Sequence, residues 1–240
     1  MLFPVSIGNF VSFLAYLFAS ILTHLSYKKR KIEFTFYFLR AFILSTIFFF
    51  IVSLPGIVSQ NPTLNGLTSL ASYILIYSII ASYVLVLCRF VDSPTARNSE
   101  KIILLILFAF LIFTIYLGIK NFQPSYLVFQ GNFSYWVPRV KPIIRIIIGL
   151  TSAGLGIVFA SLALLIGKKS KDRKVFRRSL FIAGGMLSLI AGSFVNYVGG
   201  AVPSPANLLL ASLFTALSAF LFLGGVLYKV GVREDSGGKS

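Results

Sequence analysis

Seven runs of about twenty apolar residues punctuate this sequence, and they leave few folds open. They span Val5–Tyr27, Phe34–Leu54, Leu67–Phe90, Ile102–Ile119, Ile143–Ile166, Ser179–Val198 and Asn207–Tyr228. At a helical rise of ~1.5 Å per residue, each covers a bilayer hydrocarbon core of roughly 30 Å. Only 12% of the 240 residues are charged and 57% are hydrophobic, whereas a soluble domain carries about 25% charged residues. The mean hydropathy is +0.91. The expected fold is an all-α integral membrane protein. Residues 1–230 form one domain, a bundle of seven transmembrane helices, and 231–240 form a short cytoplasmic tail without ordered structure. The first run lacks a basic leader and a small-residue cleavage site, so it reads as a span rather than a removed signal. None of the nine prolines falls mid-span and almost every one lies at a span boundary, which predicts unbroken helices.

The stretch Gly167–Arg178, GKKSKDRKVFRR, sets the sidedness. Seven of its twelve residues are Lys or Arg, and short basic loops are retained on the cytoplasmic side. Counting alternate connections and the tail places 18 of the 22 basic residues on that face, leaving Lys120, Arg139, Lys141 and Arg145 opposite. The expected topology has the N-terminus outside and the C-terminus inside, in a multi-pass cell-membrane protein. Arg40 and Arg145 are expected to snorkel to their nearer surfaces. The formal charge of +16 then reads as a topology signal and a grip on anionic lipid headgroups. No basic segment is long enough to form a nucleic-acid-binding domain. The residues expected to face lipid headgroups, or a cytosolic or membrane protein partner, are Lys28, Lys29, Arg30, Lys31, Lys168, Lys169, Lys171, Arg173, Lys174, Arg177 and Arg178.

The six acids (Glu33, Asp92, Glu100, Asp172, Glu234 and Asp235) all fall outside the spans. Proton relays and cation filters usually rest on intramembrane carboxylates, so a proton-coupled carrier or carboxylate-lined channel is disfavoured. His24 is the only histidine and Cys88 the only cysteine. One of each makes no metal site, and the glycines form no phosphate-cradling loop. Lys229 lies at the end of the seventh run, where a retinal Schiff base would need a lysine within the span. No cofactor and no enzyme activity are expected.

Small residues at spacing four (Gly184, Ser188, Gly192, Asn196) make a ridge on the sixth span where another helix approaches closely. Ala211, Thr215 and Ala219 offer a matching ridge on the seventh, and Gly149, Ser152, Gly154 and Gly156 one on the fifth. The last three helices are therefore expected to pack as a sub-bundle. Gly184, Ser188 and Gly192 read as helix packing. Ser188, with Asn196 and Tyr197 near the outer end, reads alternatively as the lining of a polar pocket. Tyr73 and Tyr77 share one face of the third span and should turn inward to satisfy their hydroxyls, either on a neighbouring helix or on a ligand. The connection Lys120–Pro142 holds the only tryptophan and is rich in Phe and Tyr. It reads as an aromatic belt at the interface or as a lid over an outward pocket. Tyr135, Trp136 and Arg145 would shape that mouth. Asn132-Phe133-Ser134 is a glycosylation triplet on the same side.

In layout, residues 1–230 resemble the seven-helix N-terminal sensor region of certain bacterial and archaeal histidine kinases. The likeness rests on KKRK after the first span, RFVDSPTARNSEK between the third and fourth, NFQPSYLVFQGNFSYWV in the long aromatic connection, and KKSKDRKVFRRSL leading into the sixth. The resemblance implies a ligand sensor whose seventh helix feeds a cytosolic output domain. Only 12 residues follow Tyr228 here, so the expectation is a sensor- or receptor-like protein acting through a separate partner. The alternative is a small permease or a membrane-embedded subunit of a secretion, pilus or uptake machine.

Overall fold

The computed structural model describes residues 3–91, 94–170, 172–198 and 205–228. Within these, the side chains at 4, 30, 90, 91, 94–97, 130, 196–198 and 205 are not described. The helices are α1 (Pro4–Arg30), α2 (Glu33–Ile57), α3 (Pro62–Val91), α4 (Pro94–Lys120), α5 (Pro142–Lys169), α6 (Arg173–Val198) and α7 (Pro205–Leu227). Among the described residues, all seven are long and apolar enough to cross a membrane.

Boundary prolines explain where five of these helices begin. Proline suits the first helical position because the amide it lacks would be unpaired there and its φ is already helical. It opens α1, α3, α4, α5 and α7. Polar caps reinforce such a start at α3 and supply one at α6. Asn61 Oδ1 accepts from the amides of Thr63 at 2.9 Å and Leu64 at 3.2 Å at the start of α3. Asp172 Oδ1 accepts from the Lys174 amide at 2.7 Å at the start of α6. These caps lie outside the apolar runs, so the helices overrun the expected spans by up to two turns. The apolar part of α2 ends at Leu54. Pro55 leaves the helical region (ψ 126) and Gly56 adopts φ 86, a conformation open to glycine, before the chain turns into α3.

The chain is not wholly α. The connection expected to lie as an aromatic belt or a lid is a β-hairpin, β1 (Tyr126–Gln130) paired antiparallel with β2 (Phe133–Val137). Its turn is Gly131-Asn132, with Gly131 at φ 61. A glycine with positive φ at the first central position matches the right-handed twist of paired strands. Tyr135 and Val137 pack with Leu208, Val5, Tyr126 and Val128, fixing the hairpin over the ends of α1 and α7.

The helices run around the bundle in the order α4, α3, α2, α1, α7, α6, α5. The ring is closed at α1–α7 and open between α5 and α3, where contact is sparse. Thus α6 packs on both α5 and α7 as expected, but α7 continues onto α1 and the last three helices form part of a row. Helix α4 lies outside α3. Its most apolar window is only 11% buried, against 50% for α7, which leaves α4 exposed around most of its girth.

Half the bundle is closed by an aromatic knot. Phe38 meets Phe42 and Phe222, each at 5.8 Å between ring centroids. Tyr83 stacks on Phe222 at 5.2 Å and meets Phe159 edge-on at 6.1 Å. Tyr16, buried beside Phe42 and Phe49, hydrogen-bonds Ser218 Oγ at 2.7 Å. The α6–α7 seam depends on missing side chains. A Cβ on Gly225 would sit 2.6 Å from Ile182 Cγ1, and one on Gly192 would sit 2.9 Å from the Ala211 carbonyl. Gly184 differs from the expected ridge, since its Cβ would stand at an ordinary 3.7 Å from Leu221, while Gly185 lies under Phe222. Of the three glycines in the expected α5 ridge, only Gly156 is at a contact. Gly149 and Gly154 would meet nothing within 4 Å.

Candidate functional site, a hairpin-capped cavity

The hairpin roofs a cavity of about 230 Å³ in the centre of the ring. Its walls come from α1, α2, α3, α5, α7 and β2. One wall is a polar face of α3, formed by Asn65, Thr68, Ser69, Ser72 and Tyr73 at spacings of three and four. Thr68 and Ser69 donate to the Asn65 carbonyl at 2.8 and 3.1 Å, and Ser72 to that of Ser69 at 2.6 Å. These bonds to the helix's own carbonyls let hydroxyls sit in an apolar segment without neighbouring partners. On the opposite wall Asn9 donates to the Val52 carbonyl at 3.2 Å, and Ser6 donates to that of Pro55. Both tie α1 to the end of α2.

Three side chains in the cavity walls hold buried polar atoms with no hydrogen-bond partner among the described residues: Asn65 Oδ1, Ser125 Oγ and Trp136 Nε1. Leaving such an atom unpaired costs about 1–3 kcal/mol, which a polar guest can recover. Arg145, in the first turn of α5, supplies the only charge in the lining. Its Nη2 donates to the Pro138 carbonyl at 3.4 Å. Among the described residues no carboxylate lies within salt-bridge distance of it.

Below lies a second chamber of about 140 Å³. Its walls include Ile79, Ile80, Leu87, Leu155 and Leu189, with Ser45, Ser152, Ser193 and Thr215 as interruptions. Phe48, Phe49, Ile76, Ile148 and Thr215 belong to both chambers. Tyr83 and Phe159, members of the aromatic knot, stand in its wall, and Leu87, one turn further along α3, lines it as well.

The structure brings together four of the eight expected ligand residues. Tyr73, Tyr135, Trp136 and Arg145 all line the upper cavity. Burial pushes the Tyr135 phenol above its ordinary pKa, and the neighbouring Tyr126 phenol adds to the effect. Tyr77 is elsewhere: its hydroxyl meets Thr114 Oγ1 of α4 at 3.0 Å, an interhelical clasp. Ser188 donates to the Phe214 carbonyl at 2.7 Å, which makes it part of the α6–α7 seam. The side chains of Asn196 and Tyr197 lie outside the described residues. Asn65 and Ser125 escaped the sequence reading. The run Asn65, Thr68, Ser69, Ser72, Tyr73 was the signal, a polar stripe at helical spacing within an otherwise apolar span.

At the other end, Lys28, Lys29, Lys31, Lys168, Lys169, Arg173, Lys174 and Arg177 are exposed. Lys171 and the Arg30 side chain lie outside the described residues. Arg178 departs from that set. Its Nε donates to the Gly225 carbonyl at 2.9 Å and its guanidinium lies 4.7 Å from the Phe34 ring centroid, so it braces α6 against α7 and α2. Arg89 is also committed, facing Glu33 at 3.4 Å and Glu100 at 3.9 Å. Among the described residues no cluster of His, Cys, Asp and Glu could hold a metal ion. No family model, curated protein or solved structure matches the chain.

Proposed function

We propose that this chain is a non-enzymatic, sensor- or receptor-like membrane protein that binds a small ligand beneath the hairpin and acts through a separate partner. The observation that carries this reading is the shape of the interior. A cavity with one polar wall lies at the hairpin end, and a knot of packed aromatic rings lies between it and the basic end. A blind pocket suits recognition, whereas transport needs a path that opens to both sides in turn. The hairpin end would face outward, as the positive-inside rule implies. The exposed lysines and arginines would face the cytoplasm, on anionic headgroups or an acidic partner protein.

A photo-crosslinking residue placed at Lys169, in cells, tests the partner. The expected result is one dominant adduct that disappears when Lys168 and Lys174 are reversed to Glu while membrane insertion is retained. An adduct unaffected by the reversal would remove the basic face from the proposal. Purified protein in sealed vesicles tests the alternative. Solute flux by the chain alone would replace the sensor reading with a permease.

A further inference from the structure

We infer that the two chambers form one site for an anionic amphiphile, a single-chain lipid with a carboxylate or phosphate head, admitted from the bilayer between α3 and α5. This rests on the cavity being the ligand site proposed above, and it names the class of ligand.

Charge comes first. No Asp or Glu occurs between Glu33 and Asp92 or between Glu100 and Asp172. The hairpin end of the bundle therefore has cations without counter-ions among the described residues. Arg145 is half-buried in the cavity wall with only one long hydrogen bond among the described residues, to a carbonyl, while a guanidinium offers five donors. A carboxylate or phosphate is the group whose geometry matches that fork. The indole N–H of Trp136, also in the wall and unpartnered, is a further donor. A cation would meet Arg145 with no acid to offset it.

The second observation is the chamber beneath. A free inorganic anion would satisfy Arg145 but leave about 140 Å³ of mostly apolar space below it unfilled. The two chambers share five lining residues, so a slender hydrocarbon tail can continue from the head past Ile76 and Ile148. Burying such a tail is favourable by its apolar area.

The third is the route. Helix α5 meets α3 and α4 only sparsely. A small third cavity of about 30 Å³ marks that seam, with Tyr73 and Ile144 inside and Arg139 and Lys141 on the rim. Tyr73 and Ile144 also line the upper chamber. A lipid head could pass from one cation to the next while its tail stays in hydrocarbon.

Trp136 is the only tryptophan, so its fluorescence reports on the site in the unaltered protein. The probe is a fatty acid brominated beside its carboxyl group, added to protein in nanodiscs of zwitterionic, unbrominated lipid. Bromine quenches indole on close approach. The expected result is saturable quenching, reversed by the unbrominated acid but not by inorganic phosphate or acetate. The matching bromo-alcohol should bind about tenfold more weakly, and Arg145→Gln should weaken the acid by about tenfold while leaving the alcohol unchanged. The acid–alcohol comparison needs no variant and stands if Arg145→Gln fails to fold. Equal binding of acid and alcohol, or quenching that rises without saturation, would overturn the inference in favour of a neutral guest or annular lipid. Competition by inorganic phosphate would overturn it in favour of a soluble anion. A sensor for a neutral ligand or a soluble anion would survive these outcomes, and vesicle flux would remove the sensor while leaving the lipid site intact.

Discussion

Adding one methyl group to Gly192 should destabilise the bundle, and adding the same group to Gly149 should stabilise it. Both glycines lie inside long helices, where replacing Gly by Ala gains about 0.5–1 kcal/mol from backbone entropy alone. At Gly149 nothing lies within 4 Å of the new Cβ, so the gain stands. At Gly192 the Cβ would sit 2.9 Å from the Ala211 carbonyl oxygen, 2.9 Å from Thr215 Oγ1 and 3.4 Å from Phe214 Cβ. The carbonyl belongs to the backbone of α7 and cannot rotate away. The helices must separate, and overpacking of this kind costs about 1–3 kcal/mol. The net expectation for Gly192→Ala is a loss of about 1–2 kcal/mol, of opposite sign to the control. Unfolding in mixed detergent, followed by Trp136 fluorescence and by far-ultraviolet dichroism, measures both variants against the parent. Gly192→Ala as stable as Gly149→Ala would show that α6 and α7 do not approach as described.

Other perturbations separate parts of the bundle. Arg178→Ala should lose the Gly225 carbonyl bond and the contact with Phe34, costing about 1–3 kcal/mol in thermal unfolding. Lys169→Ala, on an exposed side chain, should stay within about 0.5 kcal/mol of the parent, and equal losses from both would refute a bracing role for Arg178. Tyr77→Phe should cost about 0.5–1.5 kcal/mol by releasing Thr114 while leaving quenching by the brominated acid unchanged, and a binding loss would return Tyr77 to the ligand site. Because burial raises the Tyr135 phenol, its neutral form is the one the fold favours. Hairpin docking should therefore be constant below the ordinary phenol pKa of about 10 and weaken only above it. Undocking at lower pH, seen as a shift in Trp136 emission, would contradict that burial.

The spans were legible because a lipid-crossing helix needs an uninterrupted apolar run of known length, and prolines such as Pro62 and Pro142 marked where helices start. The extent of α3 and α6 was harder to read, since Asn61 and Asp172 cap turns that contain few apolar residues. The hairpin was written in the chain as YLVFQ-GN-FSYWV, two β-prone runs around a two-residue turn. In a sequence this rich in aromatics, the same residues also fit an interfacial belt. Arg145, Trp136, Tyr135 and Tyr73 could be picked out because polar or cationic groups are rare among apolar neighbours. The aromatic knot could not be read. With 25 phenylalanines in spans that are apolar on every side, no pattern distinguishes Phe38 and Phe222, packed in the core, from Phe108 and Phe220, which face outward. The position of α4 outside the ring had a trace in the sequence, as its best window has the highest mean hydropathy of the seven, 3.0.

The blind cavity is tested most directly by thiol labelling at Ser72, in the cavity wall, with Cys88 replaced by serine. Membrane-impermeant maleimide is applied to vesicles of each orientation, with Asn132→Cys at the hairpin tip and Lys169→Cys at the basic end as markers of the two faces. Labelling of Ser72→Cys only from the face that labels Asn132→Cys is the expected result. Labelling from the face that reaches Lys169→Cys would mean a path past the aromatic knot, and the closed interior with its proposed ligand role would fall.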